Sequence, residues 1–222
     1  MKEILSEIRK GFFGKKHFVI RLVAVFLAVI IMGFSLSLLL LVDLGVDPCT
    51  LMNVSVAGTI GISLGNWQAL FNSILFIVVI ILGARNLGFG TLANMFLVGY
   101  AIDFFSWIWS MVLPEGLFES WIVKIVVLIP ALIVFVFAAA VYMDMDMGTA
   151  PYDAIPVIVS KRMPKIPFSA VRIAFDGIVA VIGIIFGGRI GLVTILMVLT
   201  LGPVIAWVGK KINEKWDFSD GK

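Results

Sequence analysis

Long apolar runs separated by short polar breaks dominate the chain. A helix needs about 20 apolar residues to cross a hydrocarbon core of about 30 Å. Six runs approach that length: Phe18–Val42, Trp67–Leu82, Thr91–Val112, Trp121–Tyr142, Phe168–Phe186 and Ile190–Val208. Two further segments, Thr50–Ile62 and Tyr152–Met163, are apolar to mixed. Each has only about a dozen residues, or roughly 18 Å of helix, too short to span. They read as re-entrant or interfacial helices, against the plainer alternative of surface elbows between spans. The pattern predicts an all-α polytopic membrane protein with six transmembrane helices.

Composition supports that class. Hydrophobic residues make up 61% of the 222 positions and charged residues 14%, against roughly 45–50% and 25% in soluble domains. One water-soluble core cannot hide so much apolar surface. Soluble enzymes, nucleic-acid readers and disordered chains are thereby set aside, and the lipid bilayer becomes the first expected partner. The single cysteine, Cys49, allows no internal disulfide and no thiolate metal cluster. The N-terminal run is too long for a signal-peptide core and has no small-residue cleavage site, so it is expected to be a mature span.

The net charge of +3 has an orientation written into it. With six spans and the N-terminus inside, the inner segments hold Lys2, Arg9, Lys10, Lys15, Lys16, Arg85, Lys161, Arg162, Lys165, Lys210, Lys211, Lys215 and Lys222. The outer loops hold Arg189 alone, and Leu113–Ser120 carries Glu115 and Glu119. This is the positive-inside distribution, with both termini cytoplasmic. Arg21 and Lys124 lie near span ends, where they are expected to snorkel. An eight-span count gives the same termini but fails on the two short segments. Trp107, Trp109, Trp121, Trp207 and Trp216 fall where aromatic belts belong.

The chain also repeats itself. Asp43-Leu44-Gly45-Val46-Asp47-Pro48-Cys49-Thr50 matches Asp146-Met147-Gly148-Thr149-Ala150-Pro151-Tyr152-Asp153 at an offset of 103. Phe71-Asn72 matches Phe175-Asp176, and Gly83-Ala84-Arg85 matches Gly187-Gly188-Arg189, at 104. Gly88, Thr91 and Gly99 match Gly191, Thr194 and Gly202 at 103 again. Each half is a long span, a D-x-G-x-x-P turn, a short helix and two more spans. The chain is thus a single membrane domain, 1–222, with repeats at 18–112 and 121–208 and tails at 1–17 and 209–222. Three spans per repeat is odd, so the second copy must enter the bilayer from the opposite side. Inverted repeats are a recurrent plan of secondary transporters, whose substrate sites lie near the midplane where broken helices meet.

The runs Asp43-Leu44-Gly45-Val46-Asp47-Pro48, Gly90-Thr91-Leu92-Ala93-Asn94 and Gly148-Thr149-Ala150-Pro151 resemble the YczE/YyaS/YitT family of small bacterial membrane proteins. The resemblance covers about Arg21 to Val208. It implies a bacterial inner membrane and a transporter, with export the preferred direction, and names no substrate. The family usually carries an aromatic residue after the first proline, where this chain has Cys49.

Ionisable groups inside spans are expensive and mark functional candidates. Arg172 and Asp176 share a helix face at i and i+4. The repeat sets Gln68 and Asn72 at the matching positions, so both halves offer a polar pair at one depth. These four are expected to line a substrate site; alternatively, the ion pair neutralises itself and the amides hold helices together. Asp103 is either a coupling-proton carrier, a wet interfacial group, or a partner of Arg172 or Lys124. Asn94 is cavity lining or an interhelical bond. Asp47, Thr50 and Asn53 on the first short segment, and Tyr152 and Asp153 on the second, complete the candidate substrate-binding set. Asp43, Gly45, Pro48, Asp146, Gly148 and Pro151 are expected to build the turns. The glycines supply unusual backbone conformations, the prolines start helices, Asp47 is a cap and Asp153 favours its helix dipole. Helix N-termini dipping inward would favour an anionic ligand group.

No Walker motif, nucleophile elbow or zinc spacing is present, so neither enzyme chemistry nor a cofactor is expected. Asp144 and Asp146 flank the Met143–Met147 stretch without nearby His or Cys; flexible packing suits it better than a metal site. The expected function is a small secondary transporter moving a polar or charged organic solute by alternating access, with a proton or ion as candidate coupling partner. The alternatives are a substrate-capturing subunit of an ATP-driven importer and a non-transporting accessory. A homodimer is a further candidate for so small a chain.

Overall fold

A computed structural model describes residues 17–82 and 87–215, with the side chains of 206, 209 and 212–215 excepted. The described residues form eight α-helices and one short 3-10 turn, Leu117–Glu119. We number the helices α1 (Phe18–Val42), α2 (Pro48–Ile60), α3 (Leu64–Ile81), α4 (Phe89–Val112), α5 (Trp121–Asp144), α6 (Pro151–Arg162), α7 (Phe168–Ile185) and α8 (Leu192–Lys215). The expected tails 1–17 and 209–222 lie largely outside the described residues, as does the Gly83-Ala84-Arg85 match.

Five helices, α1, α3, α4, α5 and α7, are long and apolar enough to cross a membrane. The chain is a multi-pass membrane protein. The sixth expected span, Ile190–Val208, falls on α8, whose apolar stretch among the described residues is the shorter Leu192–Ile205. Other boundaries move by a turn or less. The second run was expected from Trp67, but α3 begins at Leu64 because the Ser63 hydroxyl accepts a hydrogen bond from the Asn66 N–H at 3.2 Å. A capped N-terminus extends a helix beyond its apolar stretch.

Both short helices begin alike. Asp43 and Asp146 are left-handed, with φ of 53° and 50°, and Gly45 and Gly148 have φ of 110° and 111°. Pro48 and Pro151 open α2 and α6, where the missing N–H costs nothing. The first turns are buried and the far ends, Gly58–Gly61 and Lys161–Arg162, are exposed.

Each turn is tied to the other half of the chain. Val193 N–H donates to the Leu44 carbonyl at 3.0 Å, and Gly90 N–H donates to the Met147 carbonyl at 2.7 Å. These bonds join matching positions crosswise. A Cβ on Gly45 would lie 2.6 Å from the Thr194 hydroxyl, and one on Gly148 would lie 2.5 Å from the Thr91 hydroxyl. Only glycine permits both the positive φ and the approach.

α1 is the hub, packed against α4 and α5, while α5 also packs on α8, α2 on α7, and α3 on α4 and α6. Val25, Val29 and Leu39 of α1 are fully enclosed, while Val19, Ile20, Val23 and Leu27 are exposed. Apolar side chains facing outward suit hydrocarbon rather than water. Met145 and Met147 pack in the core. One expectation is corrected here: Arg21 does not snorkel. It is 1% exposed, and its Nη1 donates to the Met145 carbonyl at 3.0 Å. That carbonyl belongs to the second turn, so the arginine gains a backbone acceptor inside the core instead of water. Lys124, 103 positions later, instead lies over the Trp121 ring at 5.7 Å.

Candidate functional site

The N-termini of α2 and α6 open onto one cavity of about 460 Å³, a size suited to a small organic molecule. Its apolar walls include Met32, Leu36, Val98, Phe135 and Leu201. Its polar lining contains Asp47, Thr50, Gln68, Asn72 and Asn94 from the first half, and Tyr152, Asp153 and Arg172 from the second. Eight of the side chains singled out from the sequence therefore meet around one space.

The second-half groups are bound to one another. Arg172 Nη1 donates to Asp153 Oδ1 at 2.6 Å, and its Nε donates to Asp176 Oδ2 at 2.9 Å. The Tyr152 hydroxyl donates to Asp176 Oδ1 at 2.7 Å. The guanidinium also lies 5.5 Å from the centre of the Tyr152 ring. Asp176 is 3% exposed and stands behind Arg172 rather than on the cavity wall. The i,i+4 pair was legible in α7; its extension to Asp153 was not, because that contact joins two helices. One guanidinium is thus shared by two carboxylates, through charge-assisted bonds stronger than neutral ones.

The first-half groups are open. Asp47 caps α2, its Oδ1 accepting the Thr50 N–H at 3.0 Å. Its Oδ2 is buried with no hydrogen-bond partner, although the residue is 8% exposed and lines the cavity. Burial pushes this carboxyl above the ordinary carboxylate range. Bonds from Thr50 oppose the rise, and the like charges of Asp176 and Asp153 add to it. The amides of Gln68 and Asn72 are buried, that of Asn94 half-buried, and none has a side-chain hydrogen bond among the described residues. Gly99 makes room for Gln68, whose Oε1 lies 2.9 Å from where a Cβ would sit.

Two expected site residues lie elsewhere. Asp103 accepts the Gly65 N–H at 2.7 Å. It satisfies an orphan donor at the start of α3 and pairs with neither Arg172 nor Lys124. Asn53 is fully buried behind the wall, its Nδ2 donating to Cys49 Sγ at 3.3 Å. Burial pushes the Cys49 thiol well up, and the residue lines the cavity. Lining residues not anticipated include Tyr142, whose hydroxyl donates to the carbonyls of Gly90 and Gly148 at 3.1 and 3.2 Å. Asp144 and Lys210 are others. Lys210 shares a helix face with Gly202 and Ile205, a signal readable once α8 is carried past Val208. No group of three or more His, Cys, Asp or Glu that could hold a metal occurs among the described residues.

Residues 19–210 match the family of unknown function DUF6198. The chain belongs to that family. It is 28% identical over 193 residues to the uncharacterized protein YyaS of Bacillus subtilis, covering 85% of this chain and 92% of the relative. It is 26% identical over 203 residues to the uncharacterized membrane protein YczE of the same organism, covering 86% of each. An uncharacterized protein of Haemophilus influenzae is 25% identical over 178 residues, covering 80% and 78%. No solved structure matches the chain.

Proposed function

We propose, with membership of that family as the premise, that the chain is a small secondary transporter built from two inverted repeats of three spans. The reading takes α8 as the sixth span, the bacterial plasma membrane as the location and both termini as cytoplasmic. The crosswise bonds support the inversion. Leu44 meets Val193 and Met147 meets Gly90, which is the reciprocity that a two-fold relation between the halves requires. The two turns then sit at opposite faces of the bilayer, and their short helices dip toward its middle.

The observation that carries the reading is the single cavity into which both short-helix N-termini open, with polar side chains from each half. Polar groups this deep in a membrane protein are costly without a use. Among the cavity-lining residues, Phe168, Met143 and Lys210 are exposed. In the positive-inside orientation that mouth faces the cytoplasm, so the conformation is inward-open. Rocking one repeat against the other would close it and open the opposite face.

The test is flux. Purified protein in vesicles is offered a bacterial metabolite extract, and the lumen is assayed by mass spectrometry. Selective accumulation that is lost in Asp176→Asn and Arg172→Ala, both still folded, is the expected result. Wild-type accumulation in both variants, or none with the native protein, overturns the proposal.

A further inference from the structure

The sign of charge that the cavity accepts follows from which of its groups are already satisfied. Sequence reasoning left both signs open, because Arg172 and helix N-termini favour an anion and the aspartates a cation. The structure separates them. Arg172 is taken up by Asp153 and Asp176 at 2.6 and 2.9 Å. Each short-helix N-terminus already has a carboxylate, Asp47 capping α2 and Asp153 in the first turn of α6. The deep wall therefore holds two carboxylates, Asp47 and Asp153, and one guanidinium, with the Asp176 carboxylate behind it. The other charged lining groups, Asp144 and Lys210, are one of each sign.

An acidic cluster alone would settle nothing. The independent observation is Asp47 Oδ2: more than nine-tenths of the residue is buried, it lines the cavity, and the oxygen has no partner. A buried acceptor left unpaired is destabilising, and more so when it is charged. A donor that carries positive charge would remove that cost. We infer that the cavity takes an organic ammonium ion with an apolar body, its N–H groups on Asp47 Oδ2 and the amides of Gln68, Asn72 and Asn94. Met32, Leu36, Val98 and Phe135 receive the apolar body. This rests on reading the cavity as a carrier's substrate site and adds the substrate class.

The test compares three probes of one shape, 2-phenylethylammonium, phenylacetate and 2-phenylethanol, by calorimetric titration of the purified protein. The ammonium is expected to bind at least about tenfold more tightly than the other two. Asp47→Asn should weaken it about tenfold while keeping the helix cap, since Asn caps as well as Asp. Asp153→Asn is the second variant; it should weaken the ammonium and strengthen phenylacetate. Equal or tighter binding of phenylacetate, binding of none of the three, or unchanged affinity in Asp47→Asn would overturn the inference.

Cys49, the only cysteine, gives a second readout. Its thiolate displaces methanesulfinate from methanethiosulfonates, forming a mixed disulfide. Relative to a free thiol, the trimethylammonium-ethyl reagent should be favoured over the sulfonato-ethyl reagent, and Asp47→Asn should reduce the preference. Neither measurement needs transport. Ammonium selectivity without flux in vesicles sustains this inference while defeating the carrier reading, and anion-selective flux defeats this inference alone.

Discussion

The two short helices make a natural comparison, because they share a backbone and differ in chemistry. Their approaches repeat the same left-handed aspartate, the same positive-φ glycine and the same opening proline. In each turn a carbonyl accepts a hydrogen bond from an N–H in the first residues of a distant helix. Past the prolines the likeness ends. Around α6, Tyr152, Asp153, Arg172 and Asp176 satisfy one another. Around α2, Asp47 keeps one buried oxygen without a hydrogen-bond partner and shares the cavity with uncommitted amides. The backbone of each turn is constrained by close contacts that tolerate only glycine and proline. The side chains past it meet a cavity and are constrained by charge balance instead. The difference teaches that one wall of the cavity is closed upon itself and the other keeps unpaired polar groups.

Breaking the closed wall should have the largest effect. Removing one member of a buried ion pair strands the other, at about 3–5 kcal/mol. Arg172 is 20% exposed on its side chain, and the solvent that reaches it screens the pair, so Arg172→Ala should cost about 2–3 kcal/mol by reversible denaturation, below the figure for a fully buried pair. Gln68→Leu and Asn72→Leu, on the open wall, should cost under about 1 kcal/mol, since no mapped bond is lost. Equal losses on both walls would erase the distinction.

The likeness of the turns is tested next. Gly45→Ala and Gly148→Ala each place a side chain at a φ near +110° against a close neighbour. Each should cost about 1–3 kcal/mol, and by similar amounts. Strongly unequal losses would show that only one turn bears on stability. A smaller effect is expected at Thr194, whose hydroxyl accepts the Val46 N–H at 3.1 Å. Thr194→Val should cost about 1 kcal/mol. Thr91→Val should cost as much, because the Thr91 hydroxyl accepts the Gly88 N–H at 3.1 Å.

The smallest expected effect is one of pH, and it sharpens the picture of the open wall. With its carboxyl raised by burial, Asp47 holds a proton more tightly folded than unfolded. The folded state therefore binds more protons in the window between the two pKa values, and stability falls as pH rises through it. Cys49 on α2, Tyr152 and Asp153 on α6, and Arg172 and Asp176 on α7 are the titratable and charged groups around it. Asp47→Asn should flatten that fall in a pH series of melting temperatures. An unchanged slope would mean that the free oxygen is solvated.

Much of this was legible in the chain itself. Of the six spans that apolar run length predicts, five are helices long and apolar enough to cross a membrane, and the two D-x-G-x-x-P turns dictate their own geometry, since positive φ and the missing proline N–H are properties of single residues. The Arg172–Asp176 pair and the Asp47 cap are equally local, set by helical spacing and by reach of a few atoms. Tertiary structure decided the rest. Spacing could not reveal that Asp153 would share Arg172, that Asp103 would serve the start of α3, or that Arg21 would bury itself on Met145. Each of those contacts joins residues 19 to 124 positions apart. A buried charge takes whichever partner packing brings within about 3 Å, and only the packed helices determine which partner that is.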